Sequence, residues 1–266
     1  MRDALLTAAF GLLTFIAPST IRAADLELPR SGDEKPLNVV FILCDDPRYD
    51  VMSFRVHPWV ETSAMDAMAR DGVYFRNAMV TTSLCSPSRA SILTGRYMHN
   101  HGVVDNNVEF RDGTVLFPQY LQAAGYTTGF FGKWHMGGHT DAPRPGFDKW
   151  VSFRGQGHYY PPNTPKNWSL NVDGKSVPQR GYITDELTEY ALDWLEGSVK
   201  EGGQPLFLYL SPKGVHGMFY PAARHADRYK DKPLPVPKTM ADTSENYRHK
   251  PMWLKNQRNS WHGVDF

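Results

Sequence analysis

The chain has 266 residues, 41% of them hydrophobic and 13% aromatic, with a formal net charge of +1 at pH 7. This length allows one large domain or two small ones with a full core. The near-neutral charge excludes a nucleic-acid binder that relies on a broad basic surface, so an anionic ligand would be held by a few placed cations. With only two cysteines, Cys44 and Cys85, the chain lacks the density of disulfides typical of small secreted domains.

The first 24 residues have the pattern of a secretory signal peptide. Arg2 supplies a positive charge, Ala4 to Ala17 is an uncharged and mostly apolar run, and Ala23 and Ala24 are small residues suited to cleavage. The apolar run is too short to span a bilayer comfortably, although a retained N-terminal anchor stays an alternative. We therefore predict a signal peptide over residues 1–24, a secreted or periplasmic protein and no stable membrane span.

The first predicted strand leads directly into two carboxylates. Asn38 to Cys44 is an almost continuous apolar run, typical of a strand buried on both faces of a parallel sheet. Asp45 and Asp46 follow at the carboxyl end of that strand, where α/β sheets bind their ligands. Because neighbouring carboxylates repel each other, a hard cation such as Ca²⁺ or Mg²⁺ would suit this pair. A capped turn at Asp-Asp-Pro is the alternative, and spacing alone does not choose between them.

A short helix over Thr62 to Ala69 and a strand over Val73 to Ala78 are predicted next, followed by a loop that turns into a helix at Cys85. Pro87 fits the first turn of that helix and Gly95 its end. Cys85 would therefore lie at a helix N-terminus, which favours anions, with Arg89 folding back over the same face. The alternatives are a buried, inert Cys85 or a Cys44–Cys85 disulfide.

This stretch resembles the sulfatase signature, Cys-x-Pro-Ser-Arg followed by Leu-Thr-Gly-Arg, at eight positions: Cys85, Pro87, Ser88, Arg89, Leu93, Thr94, Gly95 and Arg96. In sulfatases the cysteine is oxidised to formylglycine by a formylglycine-generating enzyme. The resemblance also implies that Asp45, Asp46 and the residue derived from Cys85 bind the metal.

A second cationic site follows the next predicted strand, Tyr126 to Phe131. Lys133 and His135 are two residues apart, so both would point to one side of an extended segment. A fixed cation beside an imidazole suits an anionic sulfate ester, since the lysine can bind oxygen and the histidine can move a proton. Residues 132–137, Gly-Lys-Trp-His-Met-Gly, match the second sulfatase signature, Gly-Lys-Trp-His-x-Gly.

The remaining pattern alternates helices and strands. We predict a loop over Asn100 to Asn107, a helix over Val115 to Ala124, a strand near Trp150, a hairpin that turns at Asp173-Gly174, a helix over Thr184 to Val199 capped by Thr184, and a buried strand over Pro205 to Ser211. His216 lies just past that strand, and the resemblance places it near the sulfate and the leaving group.

These elements predict an α/β/α sandwich around a mixed, mainly parallel sheet. The resemblance, which runs from Asn38 to Phe266, implies the alkaline-phosphatase-like fold of sulfatases. Residues 25–266 are expected to form the N-terminal part of the catalytic domain, truncated at its C-terminal end, because the family's later Asp-Asn or Asp-His pair and later lysine are not recognised here.

The implied reaction is hydrolysis of a sulfate ester of a small molecule or glycan. In sulfatases one hydroxyl of the hydrated formylglycine attacks sulfur, and the second then expels sulfate. By resemblance, Arg89 and Lys133 would stabilise the formylglycine and the sulfate oxygens, while His135 and His216 would handle protons. A weaker likeness to N-acetylglucosamine-6-sulfatases over residues 99–106 suggests a sulfated carbohydrate. The alternatives are a phosphonate or phosphate-ester hydrolase, a non-catalytic binder of sulfated glycans, and an inactive fragment.

Overall fold

A computed structural model describes residues 35–55, 57–161, 168–234, 236, 241 and 243–252. The predicted signal peptide, residues 1–24, lies outside these ranges. The chain divides into two compact units, Met1–Ala222 and Ala223–Phe266. Among the described residues, none of the helices combines the length and the apolar character needed to cross a bilayer.

A mixed, mainly parallel sheet of six strands organises the first unit, as predicted. Its order is β1-β6-β2-β3-β4-β5, and the pairs β1–β6, β6–β2 and β2–β3 are parallel while β3–β4 and β4–β5 are antiparallel. The strands are β1 (Val39–Ile42), β2 (Thr127–Lys133), β3 (Lys149–Phe153), β4 (Ser169–Val172), β5 (Lys175–Pro178) and β6 (Leu206–Ser211).

Helices cover both faces of this sheet, which confirms the predicted α/β architecture. The helices that pack against the sheet are α2 (Cys85–Thr94) and α4 (Phe117–Ala123) on one face and α5 (Ile183–Glu201) on the other, and the unit also contains α1 (Ser63–Asp71) and α3 (Met98–His101). Neighbouring residues of β2 point to opposite faces. Phe130 packs in one buried cluster with Leu93 of α2, whereas Phe131 packs in the other with Leu187 of α5. Side chains on both faces of β2 are therefore buried, and its carboxyl end is firmly positioned.

The prediction that the first strand is buried on both faces is wrong. β1 lies at an edge of the described sheet and is shorter than expected. Phe41 packs against Tyr209, with ring centroids 4.7 Å apart, but Val40 and Ile42 on the opposite face are 56% and 50% exposed. The apolar run thus identified the strand, but composition did not reveal its edge position.

Three further local predictions fail. Residues 73–78 form no strand, since Val73 and Phe75 are 78% and 74% exposed and no described strand pairs with this segment. The helix α3 occupies the start of the segment predicted as a loop. Thr184 is not the cap of α5, which begins one residue earlier after Tyr182.

The hairpin prediction is confirmed. β4 and β5 are joined at Asp173 and Gly174, whose φ angles of 50° and 86° fit a two-residue turn with both residues in the left-handed region. The predicted helices before and after it are confirmed as α4 and α5, with ends shifted by up to two residues.

The described residues of the second unit contain two short elements. A 3₁₀ turn spans Ala223–His225, and the short helix α6 spans Ser244–Tyr247. The hydroxyl of Thr243 caps α6 by accepting a hydrogen bond from the backbone N–H of Asn246, at 3.2 Å.

Candidate active site

The parallel pairing of β1 with β6 brings the segments that follow both strands together. Ile42 lies opposite Leu210 in this register. Beyond it, the N–H of Asp45 donates to the carbonyl of Gly214 at 3.0 Å, and the N–H of Val215 donates to the carbonyl of Asp45 at 2.7 Å. The carboxylates after β1 and the histidine after β6 therefore share one edge of the sheet.

Asp45 is buried between two cations. Lys133 Nζ binds one carboxylate oxygen of Asp45, and Arg89 Nη2 lies 3.2 Å from the other. Burial alone would raise the pKa of Asp45, but the attraction of Arg89 and Lys133 outweighs it and the pKa is lowered. At neutral pH this carboxylate is charged and paired on both oxygens.

Cys85 is the first residue of α2, as the sequence predicts, and its Sγ lies 3.5 Å from Lys133 Nζ. At this helix N-terminus Asn106 Oδ1 accepts a hydrogen bond from the N–H of Ser86 at 3.0 Å, and the Ser86 hydroxyl donates to the carbonyl of His135. Cys85 and Cys44 are both free thiols, so the alternative of a disulfide between them is not realised.

Arg89 holds three elements together from within the buried core. Its Nη1 donates to the carbonyl of Lys133 at 2.5 Å and to the hydroxyl of Ser211 at 2.7 Å. These bonds join α2 to the carboxyl ends of β2 and β6. Only the Nη2 side is directed toward Asp45, so Arg89 combines a structural role with a cationic one.

The structure corrects the expectation that Lys133 and His135 lie on one extended segment. β2 ends at Lys133, and His135 has a φ of 51°, in the left-handed region. His135 nevertheless remains buried beside the cations. Burial, together with Lys133 and Arg89, lowers its pKa to about 4, so the imidazole is neutral at pH 7.

His216 faces the second carboxylate of the pair. Its Nε2 lies 3.6 Å from Asp46 Oδ2, and the Asp46 side chain is more than half exposed. Burial and the charge of Lys133 lower the pKa of His216, so it too is neutral at pH 7. Among the described residues, Nδ1 of both His135 and His216 is buried without a hydrogen-bond partner.

Asp45, Cys85 and His216 place their potential ligand atoms within 4.8 Å of one another. Carboxylates are the ligands that Ca²⁺ and Mg²⁺ prefer, so Asp45 and Asp46 fit a hard cation by donor type, whereas a thiol and an imidazole suit softer ions. An oxygen in place of the Cys85 sulfur would improve that fit. Two carboxylates still supply fewer than the roughly six oxygens such a cation takes.

Lys213 is a third cation at this site that the sequence analysis missed. It is buried, its Nζ lies 4.9 Å from the centroid of the Tyr159 ring, and it is 3.4 Å from the carbonyl of Gly217. Tyr159 in turn donates its hydroxyl to the carbonyl of His216 at 2.7 Å. The sequence signal that could have identified Lys213 is its position two residues past β6, since ligands bind beyond the carboxyl ends of parallel strands.

Three cations thus surround a nucleophilic side chain and two carboxylates. The charge balance and the helix N-terminus favour binding of an anion next to Cys85. The two neutral imidazoles can accept protons at pH 7, and the paired Asp45 keeps Lys133 in position beside the sulfur. The arrangement suits nucleophilic attack on an anionic ester.

Comparison with known proteins gives a match to a family model described as Sulfatase, over residues 37–256. An N-acetylglucosamine-6-O-sulfatase of Bacteroides thetaiotaomicron is 33% identical over 236 residues, which are 87% of this chain and 40% of that protein. An extracellular sulfatase homologue of Drosophila melanogaster is 29% identical over 200 residues, covering 70% of this chain and 17% of its own length. The chain therefore spans less than half the length of these relatives.

Solved structures share this fold. One, described as a complex with its substrate D-glucosamine-2-N,6-O-disulfate, has a TM-score of 0.69 and 34% identity and covers 77% of this chain and 40% of its own. Another, a complex with a neocarrahexaose, has a TM-score of 0.67 and 27% identity, with 75% and 50% covered.

Proposed function

The chain belongs to the sulfatase family, and we propose that the protein hydrolyses sulfate esters of carbohydrates. The observation that carries this proposal is the position of Lys133 Nζ, which contacts both Asp45 and the sulfur of Cys85. The two signature segments thereby meet at one buried cation. A carbohydrate substrate is supported by the names of the relatives and by the sugar ligands of the two similar structures.

Each predicted site residue has a proposed role in this reaction. Arg89 and Lys133 bind oxygens of the sulfate group, which gains negative charge as the alcohol leaves. His135 and His216, neutral at pH 7, accept and return protons at the nucleophile and at the leaving oxygen. Lys213 and Tyr159 position His216 through its carbonyl and the loop that carries it.

We propose that Cys85 is converted to formylglycine by a formylglycine-generating enzyme and that Asp45 and Asp46 hold Ca²⁺ or Mg²⁺ together with this residue. The hydrated aldehyde would supply a hydroxyl nucleophile, and Asp45 and Asp46 would hold a cation that would lower the pKa of that hydroxyl and neutralise charge. Support comes from the signature around Cys85 and its place at a helix N-terminus, from the ligand atoms of Asp45, Cys85 and His216 within 4.8 Å of one another, and from the preference of Ca²⁺ and Mg²⁺ for carboxylate oxygens.

Residues 25–266 are proposed to form part of a sulfatase catalytic domain, since the family match spans residues 37–256 and the chain covers 40% of a curated relative. Residues 1–24 are proposed to be a signal peptide that directs the protein to the periplasm or outside the cell. This location is supported by the sequence pattern and by the extracellular sulfatase homologue among the relatives.

Paired assays on a sulfate and a phosphonate ester of the same alcohol test the proposed reaction. We expect faster hydrolysis of 4-nitrophenyl sulfate than of the matching phosphonate monoester, and release of sulfate from glucosamine-6-sulfate. Cys85→Ala should abolish both, whereas Cys44→Ala, the matched control on the other free thiol, should retain them. A faster phosphonate reaction would favour the phosphonate hydrolase, and glycan binding without any hydrolysis would favour a non-catalytic binder.

A further inference from the structure

A cleft of about 610 Å³ lies along β4, outside the catalytic residues described above. We call it the β4 cleft and define it by its polar and aromatic lining: Asp141, Arg154, His158, Trp168, Asn171 and Gln179. We infer that it binds an anionic sugar unit that neighbours the sulfated unit under attack, so that the enzyme acts on an oligosaccharide. This inference rests on the proposed function.

The aromatic wall of the β4 cleft suits the face of a sugar ring. Trp168 is 41% exposed even though its ring lies against that of His158, with centroids 3.7 Å apart. The two rings are tilted at 59° to each other, so His158 contacts the indole while a large part of the indole surface stays accessible. A pyranose offers C–H bonds on its face and hydroxyls around its rim, which matches an exposed aromatic ring bordered by polar groups.

Polar side chains border this aromatic wall at the end near the β4–β5 hairpin. Asn171 Nδ2 donates to Asp141 Oδ1 at 3.3 Å, and Asn171 Oδ1 accepts from the N–H of Gly174 at 2.7 Å. Asp141 Oδ2 has no hydrogen-bond partner among the described residues. A carboxylate oxygen held in this way accepts a hydrogen bond from a sugar hydroxyl.

An unpaired cation marks the opposite end. The Arg154 side chain is exposed and forms no hydrogen bond or ion pair within the described ranges. Asp141 lies beside Trp150, whose Nε1 donates to its carbonyl at 2.8 Å. Arg154 follows Trp150 by four residues, a separation of roughly 13 Å along an extended strand at about 3.3 Å per residue. A sulfate or carboxylate group on the sugar would meet a guanidinium there, away from Asp141.

The Arg154 end adjoins the reaction centre. Phe153, the last residue of β3, lies opposite Lys133 in the parallel pairing of β3 with β2. His158 lines the cleft, and the next residue, Tyr159, donates its hydroxyl to the carbonyl of His216. The Arg154 end of the cleft therefore lies next to the segments that carry Lys133 and His216, so a sugar linked to the unit at Cys85 can extend toward the β4 cleft.

Binding measurements can separate this site from the catalytic one. Calorimetry would use the full chain carrying Cys85→Ala, which blocks turnover, with two probes: D-glucosamine-2-N,6-O-disulfate and a heparin-derived tetrasaccharide. Arg154→Gln and Trp168→Ala would be introduced separately. Arg70→Gln, on an exposed arginine of α1, and Tyr120→Ala, on an exposed aromatic residue of α4, are matched controls.

We expect each cleft variant to weaken tetrasaccharide binding at least fivefold and monosaccharide binding less than twofold, and each control to change neither. Arg154→Gln should have no effect on a tetrasaccharide that has been both desulfated and carboxyl-reduced and therefore carries no anionic group. Unchanged tetrasaccharide binding in Arg154→Gln would overturn the inference. Equal losses of affinity for both probes would also overturn it, and because the Arg154 side chain is exposed, misfolding of this variant would not explain such losses. Binding is measured without turnover, so the two proposals can fail separately. Absence of sulfate ester hydrolysis would refute the proposed function, whereas the binding results alone decide whether the β4 cleft holds a sugar.

Discussion

Replacing Lys133 by methionine tests whether the buried cation organises the site. Lys133 is fully buried, and the change leaves the Asp45 carboxylate with Arg89 as its remaining ion-pair partner at 3.2 Å. Removing one partner of a buried pair costs about 3–5 kcal/mol. Because Arg89 still compensates one oxygen, we expect the lower end of that range, about 3 kcal/mol of unfolding free energy.

Urea unfolding followed by tryptophan fluorescence measures this cost, and a double-mutant cycle assigns it to the pair. Asp45→Asn/Lys133→Met removes both members of this pair, and the loss of the Arg89 partner is common to the single Asp45 change and cancels in the cycle, so we expect the double variant to lose about 2 kcal/mol less than the sum of the single changes. Lys149→Met removes a half-exposed pair with Asp173 and should cost less than about 1 kcal/mol. A Lys133→Met protein within 0.5 kcal/mol of the parent, or strictly additive single changes, would refute this reasoning.

Three further outcomes are expected. His135→Asn should reduce the pH dependence of stability, and asparagine tolerates the φ of 51° at this position. Between pH 4 and 6.5 the histidine binds a proton in the unfolded chain but not in the folded one, so it makes the unfolding free energy rise with pH by up to about 1.4 kcal/mol per pH unit, and the variant should lose this contribution. An unchanged slope in urea titrations at different pH values would contradict this. Tyr159→Phe should cost about 1 kcal/mol of stability and lower kcat by displacing His216, whereas Tyr160→Phe, at an exposed hydrogen bond, should leave kcat unchanged. Calorimetry on the 266-residue chain should give a Ca²⁺ Kd of about 10⁻⁴–10⁻³ M, since two carboxylates leave most oxygen positions to water; a Kd below about 10⁻⁶ M would mean further protein ligands.

The sequence predicts which elements carry most residues of the candidate site, because these residues lie in two short signatures and at strand ends. Cys85 begins α2 as its turn and proline pattern predicts, and Asp45 and His216 follow parallel strands whose carboxyl ends coincide. Local patterns therefore placed each residue on an element, and the parallel sheet then brought the elements together.

What the sequence could not supply depends on contacts between distant segments. The exposure of Val40 and Ile42 follows from the edge position of β1, and the failed strand at residues 73–78 from the lack of a described pairing partner. The local sequence around Lys213 did not indicate a role for it, because Lys213 packs against the ring of Tyr159, which is 54 positions earlier in the sequence. Such long-range partners leave no periodic signal in either segment.

The proposal that Cys85 becomes the nucleophile is tested most directly by mass spectrometry of the tryptic peptide Asn77–Arg89 from active protein. Conversion to formylglycine replaces the sulfur and two hydrogens of Cys85 by one oxygen, and an aldehyde reagent should label the product. We expect the fraction of converted peptide to rise in proportion to sulfatase activity when a formylglycine-generating enzyme is co-expressed. Full activity in protein whose Cys85 remains an unmodified thiol would contradict the proposed mechanism.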